Sequence, residues 1–204
     1  MTTVSGTAYV ALEGAEGCGK STQAALLADA LGAVLTRETG GTPVGARLRE
    51  ILHDTTVTDL ADRAEALITA ADRAQHLVHV VRPALAAGRV VVSDRSVHST
   101  LAYQGYGRGL DVSALREIND WALDGLWPHR VILLDAPSAV LARRISGRDL
   151  DRFELAGDDV HARVADGFRT MAADHHDHWT VVDADGDPAV VAERVRAALG
   201  ELVV

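Results

Sequence analysis

The segment that most constrains the fold is residues 14–21, which read Gly-Ala-Glu-Gly-Cys-Gly-Lys-Ser. This octet matches G-x-x-x-x-G-K-[ST], a loop whose backbone amides surround the phosphates of a nucleotide. The apolar run 9–12 before it is typical of a buried strand, and the pattern at 21–31 after it is typical of a helix. A strand, a loop and a helix in this order predict a P-loop NTPase fold of the α/β class.

Lys20 is the only lysine among the 20 basic residues of the chain. Its compact ammonium can reach the β/γ oxygens of a nucleotide in a way that a planar guanidinium cannot imitate, so we predict a catalytic role for it. The Ser21 hydroxyl is predicted to bind Mg²⁺. We expect ATP to be held by the residues of the loop and the start of the helix, namely Gly14, Ala15, Glu16, Gly17, Cys18, Gly19, Lys20, Ser21 and Thr22.

Composition limits the classes of function. A chain of 204 residues favours a single domain over 1–204. The net charge of −9 argues against a general nucleic-acid or membrane binder, since those need a basic face. The single cysteine, Cys18, permits no internal disulfide, and no signal peptide or apolar run of about 20 residues is recognisable. We therefore expect a cytoplasmic protein.

Apolar runs alternate with helical patterns along the chain. The runs at 9–12, 33–37, 90–94, 131–135 and 180–183 lack polar alternation, which is typical of parallel strands covered on both faces. Helices are predicted at about 45–53, 59–87, 97–104, 111–124, 137–147, 158–176 and 187–199. The pattern predicts a doubly wound, five-stranded parallel sheet flanked by helices, with ligands at the carboxyl ends of the strands.

Four further segments, at 36–42, 70–76, 94–105 and 151–154, resemble motifs of the thymidylate kinase family. In that family the motifs run T-R-E-P-G-G-T, A-A-D-R-A-Q-H, D-R-Y-x-x-S-x-x-A-Y-Q-G and D-R-x-E in the same order. The resemblance extends over about residues 8 to 184. It implies transfer of a phosphoryl group from MgATP to dTMP, giving dTDP and ADP, by a homodimer.

The residues themselves suit this chemistry. Phosphoryl transfer is catalysed mainly by positioning and by electrostatic stabilisation, so several arginines should converge on one point. Arg95, just past a strand end, is predicted to hold the acceptor phosphate, and Arg37 and Arg49 are further candidates. Asp94 ends an apolar strand like a Walker-B carboxylate and is predicted to bind Mg²⁺ or its bound water.

The resemblance also assigns residues to the monophosphate, within a region at about 37–105. It places Arg73 at the thymine edge, Thr100 and Gln104 near the base, and Tyr103 against the sugar. Glu16 corresponds to an acidic loop residue directed at the sugar of the monophosphate or at the magnesium.

Two positions depart from the family pattern. Thr39 replaces the proline of T-R-E-P-G-G-T, which removes a constraint on φ. Thr69, on the same helical face as Arg73, stands where the family has a phenylalanine that stacks on thymine. We hypothesise either a weaker monophosphate site or one altered for another pyrimidine.

Arginines are concentrated in a segment at about 143–157, which we predict to be a mobile lid. They are Arg143, Arg144, Arg148 and Arg152. The phosphate loop has no basic residue at 15–18, and the segment resembles the bacterial class of the family, in which a lid delivers the catalytic arginine. We predict that Arg148 and Arg152 are catalytic, and the choice between Arg144 and Arg148 stays open.

Two alternatives remain at this point. One is a kinase for another or modified pyrimidine deoxynucleoside monophosphate, and the other is a P-loop ATPase switch. A GTPase switch is excluded because its N-K-x-D motif needs a second lysine. The histidines in 174–178 are predicted to be a solvated helix end and not a zinc site. Trp121, Trp127 and Phe168 are expected in the core or an interface.

Overall fold

The computed structural model describes residues 6–147 and 151–200. Within them five parallel strands form one sheet with the order β2-β3-β1-β4-β5. The strands are β1 Tyr9–Glu13, β2 Val34–Arg37, β3 Val91–Asp94, β4 Arg130–Asp135 and β5 Trp179–Asp183. The predicted doubly wound parallel sheet is confirmed, and each strand lies within about a residue of its predicted position.

Nine α-helices accompany the sheet in the described part of the chain. They are α1 Lys20–Leu31, α2 Pro43–His53, α3 Asp62–His76, α4 Arg82–Ala86, α5 Val97–Thr100, α6 Val112–Leu123, α7 Ser138–Ile145, α8 Asp158–Asp174 and α9 Pro188–Ala197. Alternate strand residues point to opposite sides of the sheet, and helices pack against the side chains on both faces. Leu12 and Ile132 pack with Leu27 of α1 and Val191 of α9 on one face, and Leu133 packs with helical residues on the other.

Two predicted helices differ from the structure. The helix expected at 59–87 begins at Asp62 and is interrupted by a π-helical segment at Leu77–Val81 before α4. Pro83 explains the interruption, because it has no N–H to donate to the preceding turn and its ring crowds that turn. The helix expected at 97–104 is the short α5 followed by a second π-helical segment, Leu101–Gly107. Such segments often occur at functional sites, and this one carries Tyr103 and Gln104.

The aromatic residues separate into core and surface. Phe168 is fully buried, and Trp127 lies against the core beside His98. Trp121 is 86% exposed and lies outside the core of this chain. Among the described residues, no helix has the length and apolar content needed to cross a bilayer, and no cluster of histidine, cysteine and carboxylate side chains could hold a metal ion.

Candidate active site

A cleft of about 500 Å³ opens at the carboxyl ends of β1, β2 and β3. It brings together residues predicted from five separate parts of the sequence, at 16–22, 37–49, 69–73, 94–104 and 144. The predicted residues that line it are Glu16, Gly17, Gly19, Lys20, Ser21, Thr22, Arg37, Arg49, Thr69, Arg73, Asp94, Arg95, Thr100, Tyr103, Gln104 and Arg144. Gly14, Ala15 and Cys18 do not line it, Arg152 lies between the lining residues Asp151 and Phe153, and Arg148 is outside the described residues.

The phosphate loop follows β1 and depends on glycine for its shape. Gly14 and Gly17 have φ values of 145° and 79°, a region that side chains with a Cβ rarely adopt. A Cβ on Gly14 would lie 2.5 Å from the carbonyl oxygen of Leu134, and one on Gly17 would lie 2.9 Å from that of Leu141. The loop therefore packs tightly against β4 and α7, and it ends where α1 presents its positive N-terminus.

The Lys20 ammonium is held over this loop. Its Nζ donates to the carbonyl oxygens of Gly14, at 3.0 Å, and Ala15, at 2.8 Å, and contacts the Cys18 Sγ at 3.5 Å. The side chain is only 6% exposed. Cys18 is a buried free thiol that accepts from the lysine. The positive charge is thus already placed at the rim of the cleft where a nucleotide phosphate would enter.

Ser21 and Asp94 form a pair suited to a hard cation. The Ser21 hydroxyl donates to Oδ2 of Asp94 at 2.5 Å. The other carboxylate oxygen, Oδ1, is buried and has no hydrogen-bond partner among the described residues. Buried polar atoms are normally paired, so this oxygen is fitted to a ligand that supplies positive charge or a donor. Mg²⁺, usually bound by few protein oxygens together with phosphates and water, matches this donor set.

Arg95 extends into the same cleft from the turn after β3. It donates to Oε1 of Glu16 in the phosphate loop and, at 3.1 Å, to Oγ of Ser99. Its guanidinium carbon lies 5.2 Å from the ring centre of Tyr103, whose hydroxyl donates to Oε1 of Glu16 at 3.0 Å. Burial lowers the pKa of Arg95, but the Glu16 carboxylate and other acidic neighbours outweigh it and raise that pKa well above its ordinary value. Arg95 therefore stays charged beside the loop.

The backbone at Arg95 is left-handed, with φ of 72°. For a residue with a side chain this conformation costs on the order of 1–3 kcal/mol. It is held by the Arg95 N–H, which donates to the carbonyl of Leu12 at 2.9 Å, and by the Ser93 hydroxyl, which donates to the Arg95 carbonyl at 2.6 Å. The fold thus maintains a strained backbone that directs this guanidinium into the cleft.

Glu13 is a site residue that sequence reasoning missed. It ends β1, is fully buried, and accepts from the backbone N–H groups of Ser96 and Ser99 at 2.8 and 3.2 Å. The hydroxyls of the same serines donate to it at 3.0 and 2.6 Å. Burial raises the pKa of Glu13 despite these four donors. The carboxylate fixes the turn that carries Arg95, and its position before the loop was the only sequence signal.

Two further arginines add positive charge to this end of the cleft. Arg37 donates through Nε to the Thr39 carbonyl at 3.3 Å, and Arg49 donates to the same carbonyl at 3.2 Å. Burial lowers the pKa of Arg49, and the charges of Arg37 and Arg95 lower it further. The charge of Arg49 is thus disfavoured where it lies, and a bound anion would stabilise it. The peptide bond that joins Glu38 to Thr39 is cis.

Arg73 belongs to a buried polar network and is only 2% exposed. It donates through Nε to Glu38 at 2.9 Å, through one terminal nitrogen to Asn119, and through the other to Thr100 at 3.1 Å. Burial raises the pKa of Glu38, but Arg73 and the hydrogen-bonded His76 outweigh it, so this pKa lies below its ordinary value. The network fixes the guanidinium at the cleft wall.

Glu38, His76 and Asn119 were also missed from the sequence. Glu38 and His76 lie inside the segments that carry the family resemblance, so their positions were a usable signal. His76 bonds Glu38 at 2.8 Å and the Thr36 hydroxyl at 2.7 Å. Asn119 comes from α6 and had no recognisable signal.

Thr69 lines the cleft on the same helix, α3. Its hydroxyl donates to the Ala66 carbonyl at 2.7 Å and accepts from the Thr100 hydroxyl at 3.1 Å. The hydroxyl is therefore turned toward its own helix and toward Thr100. Position 69 therefore presents a small polar side chain to the cleft, where the family pattern has a phenylalanine.

Glu65, another missed residue, joins three parts of the site. This buried carboxylate accepts from the Gln104 amide at 2.7 Å, from Arg152 at 2.5 Å and from Arg108 at 3.4 Å. Arg152 also donates through Nε to the Leu52 carbonyl at 2.9 Å. Residues 151–154 are therefore docked on α2 and α3.

Arg144 lies beside the phosphate loop. It donates to the carbonyl oxygen of Gly17 in the phosphate loop at 3.4 Å and to that of Ala184 at 3.0 Å. Of the lid arginines in the described part of the chain, Arg144 is thus on the loop side and Arg152 on the side of Glu65.

A loop with the phosphate-binding sequence and a group of arginines line one cleft at the carboxyl edge of a parallel sheet. This fold and site define a P-loop phosphotransferase that acts on a small phosphorylated acceptor. Comparisons with known proteins identify the family of phosphotransferases to which it belongs. The family model described as thymidylate kinase matches residues 12–195, and the chain belongs to the thymidylate kinase family.

Named relatives and a solved structure agree. The chain is 42% identical to the thymidylate kinase of Oleidesulfovibrio alaskensis, covering 95% of this chain and 98% of the relative. It is 47% identical to a thymidylate kinase of a Synechococcus species, with 92% and 91% covered. The crystal structure of thymidylate kinase from Ehrlichia chaffeensis superposes with a TM-score of 0.80 at 29% identity, covering 96% of this chain and all of that one.

Proposed function

We propose that this protein transfers the γ-phosphoryl group of ATP to dTMP, giving dTDP and ADP. The observation that carries the proposal is that the Lys20 loop and the Arg95 site line one cleft. Family membership supplies the identity of the acceptor. Donor and acceptor phosphates bound there would meet between the loop and Arg95, and positioning of this kind is the main source of catalysis in phosphoryl transfer.

On the donor side, the backbone amides of the loop would hold the ATP phosphates, and Lys20 would exchange its loop carbonyls for phosphate oxygens. Ser21 and Asp94 would hold Mg²⁺, directly or through its water, as the unpaired Oδ1 of Asp94 suggests. When bound, that ion neutralises charge on the β and γ phosphates. Arg144 lies close enough to Gly17 to reach the same phosphates.

On the acceptor side, Arg95 would bind the monophosphate with help from Arg37 and Arg49. Phosphate oxygens there would replace the carboxylate of Glu16, which forms an ion pair with the Arg95 guanidinium. Glu16 would then be available to the sugar or to the magnesium, and Tyr103 would lie against the sugar. Arg152, and Arg148 outside the described residues, remain our candidates for charge stabilisation from the lid at about 143–157.

The base would be read at the end of the cleft formed by Arg73, Thr100 and Gln104. The Gln104 amide nitrogen is committed to the Glu65 carboxylate, so its carbonyl oxygen is the acceptor on that side chain. Arg73 offers only donors. A pyrimidine with a carbonyl beside an N–H, as in thymine and uracil, complements this pair, whereas the amino group of cytosine would oppose the Arg73 donors.

The proposal is tested by ADP release with dTMP, dUMP, dCMP, dGMP and UMP as acceptors. We expect the highest kcat/KM with dTMP. Faster turnover of another pyrimidine deoxynucleotide would favour the alternative raised by Thr69. Slow hydrolysis that ignores every monophosphate would indicate an ATPase switch and overturn the proposal.

Assembly and location are part of the same proposal. We infer a homodimer, supported by exposed apolar side chains on α3, the following π-helical segment and α6, namely Leu67, Val78 and Trp121 at 55, 59 and 86% exposure. A molar mass from light scattering equal to twice that of one chain would support the homodimer. We also infer one kinase domain that works in the cytoplasm without a membrane or nucleic-acid partner, consistent with its single, buried, free cysteine.

A further inference from the structure

The aromatic side chains around the cleft are few. Among the described residues that line it, Tyr103 and Phe153 are the only phenylalanine, tyrosine or tryptophan side chains. One face of the Tyr103 ring is covered by the Arg95 guanidinium. The other phenylalanine of the chain, Phe168, is buried in the core. Because Tyr103 is proposed to lie against the sugar, Phe153 is the ring that remains to contact a bound base.

Phe153 is held at the base end of the cleft. Its N–H donates to Oδ1 of Asp151 at 2.9 Å, and Asp151 bonds His53 of α2 at 2.7 Å. The preceding residue, Arg152, is bound to Glu65, the same carboxylate that accepts from Gln104. Glu65 lies one helical turn before Thr69, on the same face of α3. The Phe153 segment and the Gln104 amide thus meet at a single buried charge.

The orientation of the ring is fixed by its neighbours. Its centre lies 6.0 Å from that of Tyr103 at an interplanar angle of 87°, and 5.2 Å from that of His53 at 60°. The Arg152 guanidinium carbon is 5.0 Å from the ring centre. The side chain is half-buried, so part of its surface faces the cleft that Thr69 also lines.

We propose that Phe153 supplies the aromatic wall of the acceptor-base pocket, the role for which Thr69 has no ring. The inference rests on the proposed function, since it takes the acceptor to be a pyrimidine nucleotide. It makes one segment responsible for two tasks, because contact between the base and Phe153 also stabilises the docking of Arg152 on Glu65.

The test compares the variants Phe153→Leu and Phe153→Tyr in steady-state assays with dTMP and ATP. Phe153→Leu keeps the apolar volume but removes the ring, so the KM for dTMP should rise roughly ten-fold, the order expected for one lost base–aromatic contact. The KM for ATP should stay unchanged. Phe153→Tyr keeps the ring and should retain the wild-type KM for dTMP. Leu155→Ala changes an exposed neighbour in the chain and serves as the matched control.

An abasic probe separates a base contact from a general effect on the segment. Inhibition by 2-deoxyribose 5-phosphate should be equal in wild type and Phe153→Leu, because this compound has the sugar and phosphate but no base. Parallel loss of dTMP and of the abasic compound, or an unchanged KM for dTMP in Phe153→Leu, would overturn the inference while leaving the proposed function intact. A wild-type enzyme inactive on dTMP would instead overturn both.

Discussion

Lys20 has a role that its charge alone does not describe. Its ammonium lies between two loop carbonyls, at 3.0 and 2.8 Å, and the side chain is buried. A guanidinium is wider and planar and cannot take this place without moving the loop. We expect Lys20→Arg to lower kcat by roughly 100-fold, the order seen when one preorganised donor to the transition state is lost. The reference is Arg196→Lys, the same exchange reversed on an exposed part of α9, which should keep wild-type activity.

Thr69 makes a second prediction at this scale. Thr69→Phe would add a ring to the wall of the cleft and should lower the KM for dTMP by roughly ten-fold, as expected for one base–aromatic contact. Thr69→Val is the control, because it removes the hydroxyl bonded to Thr100 without adding a ring. The KM values for dTMP and dUMP are to be measured for all three proteins. If Phe at this position alters neither, the hypothesis of a weakened or altered base site is wrong.

The residues that sequence reasoning missed are mostly buried carboxylates. Glu13, Glu38 and Glu65 read in the sequence like solvated charges, because carboxylates are rarely buried unless paired. Their partners come from distant parts of the chain: Ser96 and Ser99 for Glu13, and Arg152 for Glu65. Only tertiary structure brings such pairs together. The positions of Lys20, Asp94 and Arg95 in the cleft could be predicted, because short motifs locate them at the start of α1 and at the end of β3.

At the scale of elements, the strands were the most predictable feature. Continuous apolar runs ending in polar residues located all five, because burial on both faces leaves little room for polar side chains. The helices beside the cleft were less predictable, since a π-helical turn changes hydrogen bonding and not composition. Packing in these helices was equally hard to predict. A Cβ on Gly107 would lie 2.8 Å from the Val164 side chain, a constraint that the sequence does not show.

The docked segment 151–154 yields a prediction about an element. Arg152→Gln would remove the ion pair with Glu65 and the bond to the Leu52 carbonyl. We expect kcat to fall by roughly 100-fold, because the segment loses its anchor and, under the proposed function, the lid loses a donor to the transition state. Arg47→Gln, an exposed position on α2, is the matched control and should change nothing. Equal kcat values for the two variants would show that Arg152 is not required.

The whole molecule has a core that depends on a neutral histidine. His98 of α5 is buried between Trp127 and Trp179, with ring centres 5.6 and 4.8 Å away, and contacts the Ser96 hydroxyl at 3.3 Å. Burial, followed by the charges of Arg116, Arg73 and His175, lowers its pKa to about 3. His98 therefore connects the helix after the Arg95 turn to β5 in its uncharged form, whereas in the unfolded chain it titrates near its ordinary pKa of 6.5.

Stability should consequently fall in mild acid. Because the pKa of His98 is depressed in the folded state, the unfolded state binds the extra proton as the pH drops below 6.5, and the loss continues until about pH 3. Between pH 6.5 and 5 the His98 contribution to the free energy of unfolding should decrease by about 2 kcal/mol. Denaturant titrations at both pH values measure this decrease. His98→Gln, which does not titrate, should show a decrease smaller by that amount, whereas His176→Gln, which alters a histidine 82% exposed, should keep the wild-type difference. If the free energy of unfolding of His98→Gln falls as much between pH 6.5 and 5 as that of wild type, His98 is not the buried neutral group that links pH to folding.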